Sequence, residues 1–202
     1  MTGVRPGSLA VTAGYENSTE VQALLWEDID FNRSTEGPGV FLRVRIRWLK
    51  GRRDPYAVTG RLQGVEFLLK PCSAPENLVV DCTWLLTMLA LERGLFGGQT
   101  YDELMVSPRS RLVQNPTIAK RPVFAALKGS NNPEMDFDKA MKAGAFNLPL
   151  QQACKVAGLA TRATMYVFRR EFITTVGRSV GVEEARSMAT HLPSRRDSYC
   201  ES

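Results

Sequence analysis

Apolar and polar side chains alternate most regularly between residues 40 and 48. The apolar positions are Val40, Leu42, Val44, Ile46 and Trp48, and they alternate with Phe41, Arg43, Arg45 and Arg47. A period of two predicts a β-strand with one buried face and one basic face. A turn over Lys50–Pro55, a return strand over Val65–Leu69 and an earlier strand near Ile29–Arg33 complete the pattern. We therefore expect the sheet to be confined to the first third of the chain.

The rest of the chain has mainly helical spacing of apolar residues. The predicted helices are a short one within residues 4–15, followed by Leu78–Leu95, Leu148–Gly158, Met165–Ser179 and Val182–Thr190. Residues 99–135 are rich in Pro, Ser and Asn, and predict a long irregular connection with one short strand near Val123-Phe124. These elements define an α+β fold, mainly α, with a small antiparallel sheet in the N-terminal third and a single domain over residues 1–202.

Composition excludes several classes of protein. The chain has 202 residues, of which 44% are hydrophobic and 23% are charged, as is typical of soluble globular domains. No apolar run is long enough to span a bilayer, and the N-terminus has no signal-like apolar core. The four cysteines are far apart and there is one histidine, so a zinc cluster is not expected. We expect reduced thiols in a nuclear or cytoplasmic protein that is not secreted.

The basic residues are clustered rather than evenly spread. The net charge is +5, which permits a polyanionic partner without requiring one. The candidate DNA-binding residues are Arg43, Arg45, Arg47, Arg52, Arg53, Arg170, Arg195 and Arg196. Arginines along one strand face would make salt-sensitive contacts with phosphates, independent of base sequence. The alternative is the solvated charged face that many antiparallel sheets expose.

Six residues in a fixed order carry the candidate chemistry: Arg5, Lys50, Tyr166, Arg169, His191 and Tyr199. Cleavage of a phosphodiester by transesterification needs a nucleophile, cations on the phosphate oxygens and an acid for the leaving oxygen. Guanidinium groups suit the non-bridging oxygens because they donate in a fork and stay charged. Tyrosine supplies a phenolate nucleophile, and histidine or lysine can transfer protons.

Tyr166 and Arg169 also have a structural interpretation. Tyr166 and Arg169 are three apart and share a helix face, whereas Arg170 points about 100° away. A tyrosine on an apolar helix face is usually part of the core, but a charge so near that face needs a partner. Lys50 could equally be one more solvated cation, and Arg52, Arg53 or Lys70 could replace it as the acid.

The chain resembles the tyrosine recombinases, and within them the Crypton-like and "captain" recombinases of fungal mobile elements. The matching stretches are Thr2–Gly7, Leu24–Ile29, Leu49–Gly51, Leu85–Phe96, Tyr166–Arg170, and His191 with Tyr199. The resemblance implies that Arg5 and Arg169 clamp the scissile phosphate and that Tyr199 is the nucleophile. It also implies that Lys50 is the general acid, that Tyr166 fills a place usually held by His or Tyr, and that His191 assists.

Such recombinases carry a DNA-clamping domain before the first arginine and an element after the nucleophile. Here Arg5 is almost the first residue and only three residues follow Tyr199. The resemblance therefore predicts a catalytic-domain fragment without that upstream domain and that C-terminal tail.

Three functions follow from these patterns. The first is DNA breaking and rejoining through a 3′-phosphotyrosine, without metal or other cofactor. The second is an inactive DNA-binding remnant of such a recombinase, and the third is an interaction domain with a basic face. The first predicts double-stranded DNA as partner, self-association on DNA, no membrane and no small-molecule substrate.

Overall fold

The computed structural model describes residues 5–12, 21–34, 39–48, 65–129, 132–159, 164–182 and 184–185. Within these residues the chain is a mixed α/β protein, with about 46% of positions helical and a small antiparallel sheet. The predicted mixture of helices with a small antiparallel sheet is therefore confirmed.

The first sheet contains the strands that alternation predicted. Its strands are β1 (Ile29–Arg33), β2 (Val40–Ile46) and β3 (Val65–Leu69), all antiparallel, with β2 in the centre. Register places Phe31 opposite Leu42 and Val44 opposite Phe67. Every second residue of β2 is buried, beginning at Val40, and Arg43 and Arg45 between them are exposed. The predicted buried face and basic face are both confirmed.

The buried face of this sheet forms the main core. Trp26, Ile29, Phe31 and Leu42 are almost completely removed from solvent. Phe96 packs edge-on against Phe31, with 5.2 Å between ring centroids. Each such side chain contributes roughly 1.5–3 kcal/mol through burial, so this core is a main contribution to the stability of the fold.

A second hairpin corrects the expectation that the sheet is confined to the first third, and its first strand begins just after the short strand predicted near Val123-Phe124. Strand β4 (Ala125–Gly129) pairs with β5 (Asn132–Ala140) with two register irregularities. Just beyond β5, the carbonyl of Met141 accepts a hydrogen bond from the amide of Val11. Backbone pairing holds this hairpin, because most residues of β5 are exposed or half-buried and show no apolar alternation.

The described residues contain α-helices before, between and after the strands. In chain order they are α1 (Pro6–Leu9), α2 (Cys82–Glu92), α3 (Tyr101–Val106), α4 (Pro116–Ala119), α5 (Asn147–Val156) and α6 (Met165–Val180). Helices α3 and α4 lie where a long irregular connection was predicted. Helix α1 is shorter than its prediction, and the segment before α2, Pro75–Val80, is a 3-10 helix.

The carboxylate of Asp81 sets the start of α2 and divides the predicted Leu78–Leu95 helix. It accepts hydrogen bonds from the amides of Thr83 and Trp84, from the Thr83 hydroxyl and from the amide of Cys72. Burial alone would raise the pKa of Asp81, but these four bonds outweigh it and leave the pKa below its ordinary value. The charged carboxylate therefore caps α2 at neutral pH.

The last described helix confirms its prediction closely. Helix α6 has 16 residues and ends where Gly181 adopts a φ of 97°, a conformation that favours glycine. Helical residues reappear at Val182, Glu184 and Ala185, where the Val182–Thr190 helix was predicted. The remainder of that prediction lies outside the described residues. No helix in the described ranges is both long and apolar enough to cross a membrane.

Candidate phosphate-binding site

Arg169 is a charged residue on the inner face of α6. Within this helix, all of which the structure describes, it is the one residue classed as buried, with 5% of its surface exposed. Met165, Phe168 and Phe172 flank it and line, together with it, a cavity that is partly open to solvent. Arg170 is exposed, as its different helical direction predicted. A guanidinium held in apolar surroundings attracts anions strongly, since water does not screen it.

Arg5 reaches the same region from the other end of the described chain. The following Pro6 begins α1 and restricts Arg5 to an extended conformation, with φ −73° and ψ 141°. The Arg5 side chain is half-buried, and its Nε has no hydrogen-bond partner among the described residues. A second guanidinium is thus partly withdrawn from solvent.

The two arginines act on each other electrostatically. Burial first, and then the positive charge of Arg5, lower the pKa of Arg169 to about 10. Two cations are held together only when the fold forces them together, because like charges repel. Arg5 and Arg169, the two residues expected to clamp a phosphate, are therefore within electrostatic range of each other although they are far apart in sequence.

Tyr166 lies one helical turn before Arg169 and its side chain is 61% exposed. Its interaction with Arg169 raises the pKa of Arg169 and so opposes the effect of Arg5. The interpretation of Tyr166 as a core residue is wrong, because its ring faces outward. Its position beside Arg169 at the surface suits a residue that contacts a ligand.

Several predicted residues lie outside the described part of the chain. They are Lys50, Arg52, Arg53, His191, Arg195, Arg196 and Tyr199. The geometry of the nucleophile, of the general acid and of the assisting histidine therefore stays a prediction. Among the predicted catalytic residues that the structure describes, Arg5 and Tyr166 both act electrostatically on Arg169.

Acidic neighbours lie along the basic face of β2. Arg43 and Arg45 are each 54% exposed, and Glu66 of β3 lies 3.1 Å from the first and 3.9 Å from the second. Glu66 lies directly opposite Arg45 in the strand register. Sequence reasoning missed this neighbour, although the alternation in β3 already placed Glu66 on the outer face. Its carboxylate reduces the positive potential that this face offers to DNA.

Arg47, also predicted to bind DNA, is half-buried and makes an ion pair with the buried carboxylate of Asp28. Its Nε lies 2.6 Å from Oδ1 of Asp28, and its terminal nitrogen lies 2.9 Å from both Asp28 Oδ2 and Glu27 Oε1. Burial raises the pKa of Asp28 above its ordinary value, although Arg47 acts to lower it. Burial acts to lower the pKa of Arg47, but the interactions with Asp28 and Glu27 outweigh burial and raise it. The two-point contact between Arg47 and Asp28 indicates that both groups stay charged, because each charge offsets the cost of burying the other.

Substitution of Arg47 is therefore expected to affect stability more than DNA binding. Arg47→Gln leaves the buried carboxylate of Asp28 without its cation, and should lower the free energy of unfolding by about 3 kcal/mol. Arg43→Gln, in an exposed pair on the same strand, should change it by less than about 1 kcal/mol. Urea denaturation of both variants checks this difference. Equal small effects would show that the Asp28–Arg47 pair contributes little.

An apolar cavity adjoins Arg169, and sequence reasoning did not predict it. Its volume is about 360 Å³, and Arg169 is the one charged residue among its described lining residues. The walls come from β2, β3, α2 and α6, so no single segment of sequence reveals it. Elsewhere in the described residues, no group of three His, Cys, Asp or Glu side chains is placed to hold a metal ion.

Comparison with protein-family models, with curated protein sequences and with solved structures found no match for this chain. The features that bear on function are therefore Arg5, Arg169 and Tyr166 themselves.

Proposed function

We propose that the chain binds double-stranded DNA by clamping a backbone phosphate between Arg5 and Arg169, and that it breaks and rejoins the strand through a 3′-phosphotyrosine. The observation that supports this proposal is a buried guanidinium, that of Arg169, on which the positive charge of Arg5 acts. An anion between two cations relieves their repulsion, and two planar forks match the two non-bridging oxygens of a phosphodiester.

The reaction would be a pair of transesterifications. In the first, the phenolate of Tyr199 attacks phosphorus, a bond forms between its oxygen and phosphorus, and the bond to the 5′ oxygen breaks. The leaving 5′ oxygen takes a proton from Lys50, with Arg52, Arg53 and Lys70 as the alternative acids. In the second, a 5′ hydroxyl attacks the phosphotyrosine and releases Tyr199. No net oxidation occurs, and no nucleotide is consumed.

Arg5 and Arg169 would stabilise the charge that develops on the phosphate in both steps. Such preorganised donors are worth most where water is excluded, and Arg169 is buried. Tyr166, exposed beside it, would donate a hydrogen bond to the same phosphate. His191 would assist the nucleophile or the phosphate oxygens.

Covalent trapping on a nicked suicide DNA substrate tests the proposal. The full chain should form a denaturant-resistant adduct with the DNA, and Tyr199→Phe should abolish it. Tyr101→Phe is the matched control, because Tyr101, the first residue of α3, packs against Trp84 of α2 and has no proposed role. Loss of the adduct in both variants, or in neither, would contradict the assignment of Tyr199.

Absence of an adduct from the unaltered chain separates the two DNA-related functions. DNA binding that weakens steeply with salt, and that Tyr199→Phe does not change, would overturn the reaction and leave the DNA-binding remnant. Absence of DNA binding at low salt would contradict both functions and favour an interaction domain.

A further inference from the structure

Helix α6 does not close completely over the sheet. Phe67 and Leu69 of β3 point toward the core, opposite Val44 and Leu42, yet both are only half-buried. The cavity of about 360 Å³ lies in front of them, between the sheet and α6. Leaving large apolar side chains half-covered gives up stability that closer packing would supply.

The cavity has the properties of a small-molecule site. Ligand sites typically have volumes of roughly 300–1,000 Å³, mainly apolar walls and a few well-placed polar groups. Here aliphatic and aromatic side chains form most of the wall. The charged member of the described lining is Arg169, which is 5% exposed. An apolar cavity with a charged guanidinium in its described lining is complementary to a molecule with an apolar body and one anionic end.

We propose that this cavity binds a single-chain amphipathic carboxylate, with its alkyl chain against Phe67, Leu69 and Phe168 and its carboxylate on the guanidinium of Arg169. The two oxygens of a carboxylate match the guanidinium fork. A doubly charged headgroup such as a phosphate monoester would lose far more hydration on entering such a site. A cationic amphiphile would meet the repulsion of Arg169 and Arg5 together.

This inference goes beyond the proposed function and does not depend on it, since its premises are the cavity and the buried guanidinium. The sequence predicted no small-molecule substrate, and the occupant proposed here is a bound ligand rather than a substrate. Where both proposals hold, the ligand and the DNA phosphate share Arg169, and the carboxylate would compete with DNA.

Calorimetric titration with decanoate, below its micelle-forming concentration, tests the inference on the full chain. Decanoate should bind to a single site, and decanol, which has the same chain without the charge, should bind about tenfold more weakly or worse. Arg169→Met should reduce the affinity for decanoate to that for decanol. Arg178→Met, on the exposed side of the same helix, is the matched control and should leave the affinity unchanged.

A second variant tests the chamber itself. Leu69→Trp places a larger ring in the cavity while Arg169 stays in place, and should abolish decanoate binding. Circular dichroism must show that the variant keeps its helices, and Phe168→Trp replaces it if it does not. Equal affinities for decanoate and decanol, decanoate binding that survives a folded cavity-filling variant, or no binding to the unaltered chain would each overturn the inference.

Discussion

Replacing Arg169 with methionine is expected to weaken DNA binding and to slow covalent adduct formation by about a hundredfold or more. The buried guanidinium would neutralise the phosphate in the ground state and the additional charge in the transition state. Methionine has a similar length and an apolar character, so it suits the lining of Met165, Phe168 and Phe172 without replacing the charge. Rates measured by single-turnover trapping on the suicide substrate check this expectation.

Arg178→Met is the control for the general effect of losing a positive charge. Arg178 is exposed in the last turn of α6, so its removal alters the net charge by the same amount. We expect a less than about threefold change in adduct rate from this exposed position, because salt screens its charge. Equal losses in the two variants would show that Arg169 acts only through the overall charge.

The same Arg169→Met substitution is expected to stabilise the fold. The pKa of Arg169 is lowered to about 10 by burial and by Arg5, so the folded state disfavours the charged form. At neutral pH the group is charged in both the folded and the unfolded state, so this penalty is fully present and lessens only as the pH rises through about 10. We expect the free energy of unfolding to rise by about 1–3 kcal/mol in a buffer without multivalent anions.

Urea denaturation with and without inorganic phosphate measures this effect. Phosphate should stabilise the unaltered chain more than Arg169→Met, because binding to the folded state alone raises stability. A variant that gains stability and loses DNA binding cannot owe that loss to misfolding. A loss of stability in Arg169→Met would instead show that contacts within the chain more than compensate the buried charge.

Local patterns predicted the first sheet well because its side chains alternate between solvent and core. Strands β1 and β3 have the predicted bounds, and β2 differs only at its end, where Arg47 leaves the strand for its ion pair with Asp28. The second hairpin escaped prediction since backbone pairing and contact with Val11 hold it. Asp81 likewise divides a continuous apolar run, through a cap whose four donors come from several positions.

For the candidate site, the sequence drew attention to one residue that is unusual for its surroundings, and its role stays a prediction. Arg169 on an apolar helix face indicated a charge with a special role, and its burial agrees. The approach of Arg5 was an expectation from family resemblance alone, since no local pattern joins residues so distant. The cavity and the pairing of Arg47 with Asp28 depend on how elements pack, and no periodicity contains that information.

The most direct test of the arginine clamp is a double-mutant cycle on the affinity for duplex DNA at one low salt concentration. Arg5→Met, Arg169→Met and the double variant are compared with the unaltered chain, and Arg178→Met replaces Arg5→Met in a parallel control cycle. If both guanidinium groups bind one phosphate, the loss of DNA affinity in the double variant will be clearly smaller than the product of the losses in the two single variants. The corresponding coupling free energy between Arg5 and Arg169 should be roughly 0.5–3 kcal/mol. The control cycle should be multiplicative. A coupling free energy between Arg5 and Arg169 that is no larger than the one in the control cycle would contradict the clamp.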